Sequence, residues 1–192
     1  MIFAGYDVSY SKESNLAVAC LCIFENQDFV NSFTQEFVPT NNYVPGRLYL
    51  REQKGLDLLL PKLKQTNKSI DVLVIDGNGT IHPNLFGAAC EYNKAFQIKT
   101  MGVAKNYLVG DYEEPDLKQF SKSRINITNK FAGYAFRSAD DVKPIYVSSG
   151  CKELSSEDAV KIIEPFCIGY RIPELTRQPD IISRRVLKHQ ER

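Results

Sequence analysis

The stretch SIDVLVIDGNGTIHP, residues 69–83, decides the fold. Residues 70–75 are apolar apart from Asp71, mostly β-branched and of strand length, which predicts a strand buried on both faces. Asp76 follows where the strand ends, and GNG at 77–79 predicts a turn, because Gly and Asn adopt positive φ at little cost. Ligands of open α/β sheets bind outside the carboxyl ends of strands, so Asp76 and His82 indicate a site. The open alternative is that Asp76 only caps the turn and His82 lies on the surface.

Length and composition indicate an ordinary globular protein. The 192 residues suit a single domain, 1–192, and 43% hydrophobic with 24% charged residues is typical of soluble proteins. A net charge of +1 neither requires nor excludes a nucleic-acid partner, because a basic patch can be local. No apolar run approaches the about 18 residues of a membrane span, and residues 1–5 lack the basic region of a signal peptide. We therefore expect no membrane association.

The five cysteines indicate a reducing compartment. Their number is odd and no two form a CxxC pair, so we interpret them as free thiols and not as disulfides or zinc ligands. Cys20 and Cys22 are separated by one residue of a predicted strand and are expected to share its core face. We expect a cytoplasmic protein that acts as a monomer.

The order of the predicted elements indicates an α/β protein with a mixed sheet flanked by helices. Strands are predicted at 2–10, 16–24, 29–38, 70–75, 97–103, 122–128, 131–137 and 143–148, and helices at 48–64, 83–95, 155–166 and 181–188. The first three strands form an antiparallel meander, and βαβ units with parallel strands follow. The polar residues 107–121 are expected to form a mobile loop or marginal helix. This pattern fits the ribonuclease H-like fold, in which acids on the first and fourth strands lie side by side.

Three acids distant in sequence are candidates for one metal site. Asp7 lies near the end of the first strand, Asp76 ends the fourth, and Glu52 lies on the first helix. Three oxygen donors without a nearby cysteine select Mg²⁺ or Mn²⁺ over zinc. Lys105 is placed to neutralise charge that develops on a leaving oxygen, and His82 to orient water or steady the acids. Taken singly, Glu52 also fits a solvated helix residue and Lys105 an ordinary surface lysine.

A set of short motifs runs in order over nearly the whole chain: GYDVSY (5–10), YVPG (43–46), RE (51–52), VIDGNG (74–79), IHP (81–83), FGA (86–88), GVAKN (102–106), KPIYVS (143–148), YRIPE (170–174) and TR (176–177). Through these motifs the chain resembles the endonuclease V family. The resemblance implies a Mg²⁺-dependent nuclease that acts on hypoxanthine in deoxyinosine or inosine, in DNA repair or in inosine-RNA turnover. It implies cleavage of the second phosphodiester 3′ to the lesion, which leaves a 3′-hydroxyl and a 5′-phosphate.

The resemblance also implies roles for individual residues. Asp7, Glu52 and Asp76 correspond to the metal-binding acids, supported by His82 and Lys105. The wedge that separates the strands while the altered base turns out corresponds to Tyr43, Val44, Pro45 and Gly46. The base pocket, built largely from backbone groups, corresponds to Gly46, Leu48, Gly77, Gly79, Gly87 and Ala88. The alternatives are an ordinary loop tyrosine at 43 and glycines that serve only tight turns.

Two features depart from the family pattern. Met1 lies six positions before Asp7, whereas most members carry roughly a helix and a turn there, a difference that bears on packing and duplex grip. Cys151 stands where a Gly-His-Arg motif usually has its His, which predicts lower activity or altered metal preference if that His contacts the substrate or the metal's surroundings. A nucleophilic Cys151 has little support, because no His is near it in sequence.

The C-terminal segment carries a further acid and several basic residues. Asp180 matches an acid on the family's last helix, although a surface position is the favoured interpretation. Arg184, Arg185, Lys188 and Arg192 fit either phosphate contacts or a solvated face. The leading hypothesis is thus an inosine-directed endonuclease on DNA or RNA. The alternatives are a catalytically weak or inactive lesion-binding homologue and another ribonuclease H-like enzyme, such as a hybrid ribonuclease or junction resolvase.

Overall fold

The computed structural model describes residues 1–40 and 48–190. Within them the strands are β1 Ile2–Tyr10, β2 Ala17–Glu25, β3 Asp28–Phe37, β4 Val72–Asp76, β5 Thr100–Ala104, β6 Lys122–Ile127, β7 Lys130–Phe136 and β8 Ile145–Ser149. The helices of the same residues are α1 Leu48–Lys64, α2 Ala88–Phe96, α3 Ser156–Ile163 and α4 Glu174–Gln190, with a 3-10 turn at Glu164–Phe166. In this part of the chain the sheet has the order β3-β2-β1-β4-β5-β8-β7-β6. Its antiparallel start and parallel centre confirm the predicted mixed sheet.

The central strand β4 has parallel partners on both sides, β1 and β5. Val72 and Val74 belong to the core on one face of the sheet, and Leu73 and Ile75 belong to the core on the other. Because side chains alternate along a strand, a strand covered on both faces needs apolar residues at every position. The predicted double burial is confirmed, with the bounds 72–76 in place of 70–75.

Helices cover both faces of the sheet. Leu56 of α1 and Tyr92 of α2 pack into the core on one face. Val160 of α3 and Leu175 of α4 pack into the core on the opposite face. A smaller core around Ile81 lies under β6 and β7. The carboxyl ends of β1, β4 and β5 therefore emerge between a layer of α1 and α2 and a layer of α3 and α4.

The predicted helix at 83–95 is wrong in its first turn, because α2 begins only at Ala88. The Leu85 amide donates to the His82 carbonyl at 2.7 Å, and the Gly87 amide donates to the Gly79 carbonyl at 2.9 Å. Leu85 adopts a φ of 52°, which no α-helix contains. Hydrogen bonds to the turn after β4 thus hold these residues out of the helix.

The last helix is longer than the predicted 181–188 and includes Pro179. A proline inside a helix removes the hydrogen bond to the carbonyl four residues earlier, here that of Leu175. This carbonyl packs against Gly5 of β1, where a Cβ atom would lie 1.7 Å from the carbonyl oxygen. Gly5 therefore allows α4 to lie directly on the strand that carries Asp7, and the helix continues through the proline.

Three local predictions in the C-terminal half have clear outcomes. Ser155 Oγ accepts the amide of Asp158 at 3.0 Å, which confirms the predicted helix cap. The α-helix ends at Ile163 and not at Phe166, because Pro165 has no N–H to continue it. Residues 107–121 form the predicted loop, anchored by Arg137, which is 2% exposed and donates to the Asp116 carbonyl at 2.9 Å.

Candidate active site

Two acids and a lysine lie at the carboxyl ends of three adjacent strands. Tyr6 of β1 pairs with Ile75 of β4, so the following residues, Asp7 and Asp76, lie side by side. The register of β4 and β5 places Lys105 just beyond the end of β5, next to Asp76. Side chains alternate between the two faces of a strand, so Asp7 lies on the same face as Phe3, and Asp76 on the same face as Val74. This is the face that α3 and α4 cover. Residues far apart in sequence thus meet at one edge of the sheet.

Asp76 and Lys105 form an ion pair in which Lys105 Nζ lies 2.5 Å from a carboxylate oxygen. Only 14% of the Asp76 side chain is exposed. Burial raises the pKa of Asp76, and the Lys105 ammonium opposes that rise. Burial lowers the pKa of Lys105, but the charge and hydrogen bond of Asp76 outweigh burial and raise it overall. Lys105 is therefore a cation held among acids and not an ordinary surface lysine.

Burial and neighbouring negative charges raise the pKa values of Asp7, which is partly buried, and of Glu52, which is buried. Burial raises the pKa of Asp7 to about 8, and the charges of Asp76 and then Asp180 add to the rise while Lys105 opposes it. Burial likewise raises the pKa of Glu52 to about 8, with the charge of Asp7 as the next cause. Several carboxylates thus share one weakly solvated region, where a further cation would relieve their repulsion.

Glu52 is 6% exposed, which rules out the solvated helix position. It lies on α1, across the sheet from the α4 layer, and its Oε1 accepts the Tyr10 hydroxyl at 3.0 Å. The Tyr6 hydroxyl donates to the Glu52 backbone carbonyl at 2.7 Å. Two tyrosines of β1 therefore fix both the first turns of α1 and the direction of its buried carboxylate.

Asp180 of α4 faces the acids, and the favoured surface interpretation is wrong. Its carboxylate accepts Arg184 Nε at 2.9 Å, and its charge raises the pKa values of Asp7 and Asp76. A cavity of about 790 Å³ is lined by residues that include Asp7, Lys105, Asp180, Arg184 and Lys188. We call this cavity, with the adjoining Asp76 and Glu52, the acid groove. Arg184 and Lys188 give its α4 side a positive rim.

The donors of the acid groove fit a hard divalent cation by their chemistry. The acids offer carboxylate oxygens, which Mg²⁺ prefers as ligands. The charges of Asp76 and Asp180 raise the pKa of Asp7, and the charge of Asp7 raises that of Glu52. Among residues 1–40 and 48–190, no three His, Cys, Asp or Glu side chains converge as ligands of one point. The ammonium of Lys105 is instead the close partner of Asp76. Binding of a cation there requires the acids to turn towards it.

His82 lies in a different cavity from the acids. This cavity of about 440 Å³, which we call the loop cavity, is lined by Tyr49, Leu50, His82, Asn84, Phe86, Ala88 and Glu91. His82 Nδ1 accepts the Asn84 amide at 3.4 Å. His82 is not among the described residues that line the acid groove. The structure therefore places His82 with the loop after β4 and apart from the carboxylates.

The glycines around the loop cavity have two different structural tasks. A Cβ on Gly79 would lie 1.9 Å from the Ser149 carbonyl oxygen, and one on Gly87 would lie 2.6 Å from the Asn78 carbonyl oxygen. Gly77 has only ordinary contacts, the nearest at 3.7 Å. Gly77 and Gly79 avoid positive φ, so the turn does not use the conformation predicted for it. Gly79 and Gly87 are needed for close backbone packing, whereas Gly77 beside Ala88 has room to face a ligand.

Part of the predicted substrate-binding set lies outside the described residues. Tyr43, Val44, Pro45 and Gly46 fall in the gap between 40 and 48, and Arg192 follows the last described residue. Leu48 begins α1 directly after the gap. The start of α1 is close to the loop cavity, because Tyr49 and Leu50 line it. The described chain therefore resumes, at the start of α1, beside this cavity.

Tyr10 and Arg51 belong to the site, although the sequence analysis assigned a role to neither of them. The Arg51 guanidinium lies 4.0 Å from the centre of the Tyr10 ring, and its Nε is buried without a hydrogen-bond partner in the described part of the chain. Tyr10 thus holds Glu52 through its hydroxyl and Arg51 through its ring face. The sequence does indicate this role: Tyr10 ends the strand that carries Asp7, and because side chains alternate along a strand it lies on the same face as Tyr6.

The cysteines behave as buried thiols. Cys20 and Cys22 are both buried in the same core with their sulfur atoms 3.7 Å apart, which confirms the shared face, and all five cysteines are free. Cys151 Sγ contacts the Thr100 carbonyl oxygen at 3.7 Å. Burial raises the pKa of the Cys151 thiol, which disfavours a nucleophilic thiolate. Cys151 lies beside β5 at Thr100, the end of that strand opposite Lys105.

Comparisons with known proteins agree with this geometry. A sequence model described as Endonuclease V matches residues 1–181. The endonuclease V of Thermosipho melanesiensis is 32% identical over 176 residues, which cover 92% of this chain and 76% of the relative. The crystal structure of an endonuclease V from Streptomyces avermitilis superposes with a TM-score of 0.88 at 31% identity, over 100% of this chain and 83% of that chain.

Two further solved structures are similar to this chain, one an endonuclease V bound to DNA and one a protein that shares only the fold. An endonuclease V of Ciona intestinalis, solved with DNA that contains an inosine followed by a ribo-adenosine, has a TM-score of 0.83 at 28% identity, over 98% of this chain and 86% of that chain. An Argonaute of A. aeolicus, at 16% identity and a TM-score of 0.63 over 95% of this chain and 28% of that chain, shares the fold alone. The ribonuclease H-like fold is confirmed.

In residues 1–40 and 48–190 no helix combines the length and apolarity needed to cross a membrane.

Proposed function

Because the chain belongs to the endonuclease V family of nucleases, we propose that it is a divalent-metal-dependent endonuclease specific for hypoxanthine, in deoxyinosine or inosine. It hydrolyses the second phosphodiester 3′ to that base and leaves a 3′-hydroxyl and a 5′-phosphate, as a monomer in the cytoplasm. The observation that carries the proposal is the placement of Asp7 beside Asp76 at the ends of β1 and β4, with Lys105 Nζ 2.5 Å from Asp76. The buried carboxylate of Glu52, held by Tyr10, adds a third acid. The inosine-containing DNA bound by the Ciona intestinalis relative supports the substrate class.

Asp7, Glu52 and Asp76 are the residues that would hold Mg²⁺, with Mn²⁺ as a substitute, because both prefer oxygen ligands. When bound, such an ion supplies positive charge at the scissile phosphate. Lys105 turns from Asp76 to the phosphate and neutralises charge that develops on it. Tyr10 keeps Glu52 pointed into the groove. Lys105 and the bound ion would thus place positive charge beside the phosphate, while the three acids would hold the ion.

The loop cavity receives the base that is turned out of the strand. Its volume of about 440 Å³ lies in the range of small-ligand pockets. Hypoxanthine has a carbonyl and a ring N–H where adenine has an amine and a bare nitrogen, so a backbone donor and acceptor distinguish them. Backbone groups near Gly77 and Ala88 are best placed for this, with His82 supporting the substrate from the cavity wall. The YVPG segment at 43–46 acts as the wedge.

The test is cleavage of matched oligonucleotides that carry deoxyinosine in DNA, inosine in RNA or no modification, with Mg²⁺. We expect cleavage of modified strands only, lost in Asp76→Ala and retained in Asp57→Ala, whose acid is exposed on α1. The ratio of the deoxyinosine and inosine rates identifies the natural substrate. Binding of modified strands without cleavage would support an inactive lesion-binding protein instead. Cleavage of unmodified hybrids or junctions would indicate another ribonuclease H-like activity.

A further inference from the structure

A cluster of three tyrosines lines a cavity beside the acid groove. Tyr107 follows β5, Tyr112 lies in the next loop, and Tyr146 belongs to β8. The ring centroid of Tyr107 is 5.7 Å from that of Tyr112 and 5.9 Å from that of Tyr146. The cavity has a volume of about 340 Å³. We call it the tyrosine pocket, and its size suits one nucleotide.

The tyrosine pocket is rigid but keeps an open aromatic face. The hydroxyl groups of Tyr112 and Tyr146 share a hydrogen bond of 3.0 Å, and Tyr146 is 6% exposed. The Tyr107 hydroxyl donates to the Gly110 carbonyl at 2.6 Å, so both ends of this side chain are fixed. Tyr107 is nevertheless 51% exposed. A fixed, half-exposed ring is a surface on which a base stacks with little loss of side-chain entropy.

The walls of the tyrosine pocket carry more positive than negative charge. Lys105, Lys143 and Arg171 line it, against one acid, Glu114. Glu114 is already paired with Arg137 at 3.0 Å. Arg171 Nε donates to the Lys143 carbonyl at 2.9 Å, and another of its nitrogens donates to the Lys105 carbonyl, so this arginine ties the cavity wall to the end of β5. An aromatic face with surrounding cations matches a nucleotide, which presents a base and a phosphate.

Lys105 lines both the tyrosine pocket and the acid groove. A strand whose phosphate meets Lys105 in the groove therefore continues directly into the pocket. We propose that the tyrosine pocket binds a nucleotide next to the scissile phosphate, with its base stacked on Tyr107 and its phosphate near Lys143. This inference rests on the proposed nuclease function and adds to it a subsite that contributes substrate affinity without reading sequence, because every base has a π-face.

The experiment replaces the bases flanking a deoxyinosine one at a time by abasic residues and measures KM and kcat for each substrate. With wild type, we expect KM to rise roughly tenfold at one position near the cut and kcat to stay unchanged. With Tyr107→Ala, KM of the parent substrate rises by the same factor, and the abasic residue at that position has no further effect. Tyr107→Phe keeps the ring but loses the bond to Gly110, so KM should rise by less than in Tyr107→Ala, and the abasic residue at that position should still raise it further.

Controls separate this inference from folding and from the proposed function. Phe29→Ala removes an equally exposed aromatic ring from β3 and leaves the pattern unchanged. Lys143→Ala changes an exposed side chain and lowers the salt dependence of oligonucleotide binding by about one unit of slope. Equal abasic penalties in wild type and Tyr107→Ala would overturn the inference. If wild type cuts no hypoxanthine substrate, the proposed function fails, and the same comparison of binding by fluorescence anisotropy still tests the tyrosine pocket.

Discussion

The acid groove and the loop cavity are built from different parts of the chain. In the acid groove, side chains from β1, β4, α1 and α4 converge while their backbones remain in regular elements. Beside the loop cavity, the chain after β4 is irregular, and Gly79 and Gly87 allow backbone carbonyl groups to approach closely. We therefore expect substitutions of the groove's side chains to reduce activity while the fold is retained. Substitutions of the glycines in the loop after β4 are expected to reduce stability.

The largest expected effect is that of Glu52→Gln on cleavage. Glutamine keeps an oxygen that accepts the Tyr10 hydroxyl but removes the negative charge, so the fold is retained while the metal-binding charge is lost. We expect the cleavage rate to fall roughly a thousandfold, about 4 kcal/mol of transition-state stabilisation, with the melting temperature unchanged or raised. Asp57→Asn on the same helix serves as the control. A Glu52→Gln enzyme with full activity would reduce Glu52 to a structural role.

Gly79→Ala is expected to have the next largest effect, on stability. Its Cβ would lie 1.9 Å from the Ser149 carbonyl oxygen, so the loop after β4 must move away from β8. We expect the free energy of unfolding to fall by about 3 kcal/mol in urea titrations. Gly77→Ala has room for its methyl group and should change stability by less than about 0.5 kcal/mol while slowing cleavage of deoxyinosine. Equal stability losses in both variants would contradict the assigned difference between the two glycines.

Lys105→Met removes the ammonium group that pairs with Asp76 in the acid groove. Methionine fills a similar volume but provides no charge for Asp76 or for the phosphate. We expect a rate loss of about 10- to 100-fold, because one electrostatic contact to the reacting group disappears. Differential scanning fluorimetry should show a larger Mg²⁺-induced rise in melting temperature than wild type gives. A smaller rise would mean that Lys105 does not compete with the ion for Asp76.

Asp180→Asn is expected to have the smallest effect. Asp180 adds negative charge near Asp7 and Asp76 but is paired with Arg184 at 2.9 Å. Its loss should weaken metal binding without removing a principal ligand, so the Mg²⁺ concentration for half-maximal cleavage should rise about threefold to tenfold. Arg184→Gln, which frees the Asp180 charge, should shift that concentration the other way. Parallel shifts in both variants would show that the pair acts only through helix stability.

The sequence was sufficient for elements whose pattern is local. The apolar run before Asp76 predicted a central strand because both faces of that strand are buried, and Ser155 predicted a helix start through its own hydrogen bond. The meeting of Asp7 with Asp76 followed from strand order, since β1 and β4 are neighbours in register. These features depend on the residues of one element or on the pairing of two.

Features that depend on contacts between distant segments were not predictable. α4 continues through Pro179 because it packs on Gly5, a contact invisible in either segment alone. Residues 83–87 stay out of α2 because Gly87 bonds to the turn after β4. The position of His82 in the loop cavity follows from that same turn, whose hydrogen bonds no pattern in residues 77–83 indicates.

The most direct test of the central claim is a crystal structure of the protein grown with Mn²⁺ and measured for anomalous scattering. The account predicts one or more strong peaks in the acid groove, about 2.1 Å from oxygens of Asp7 and Asp76, with Lys105 Nζ displaced from Asp76. Fully occupied Mn²⁺ elsewhere, with the Asp76–Lys105 pair still at 2.5 Å, would contradict it.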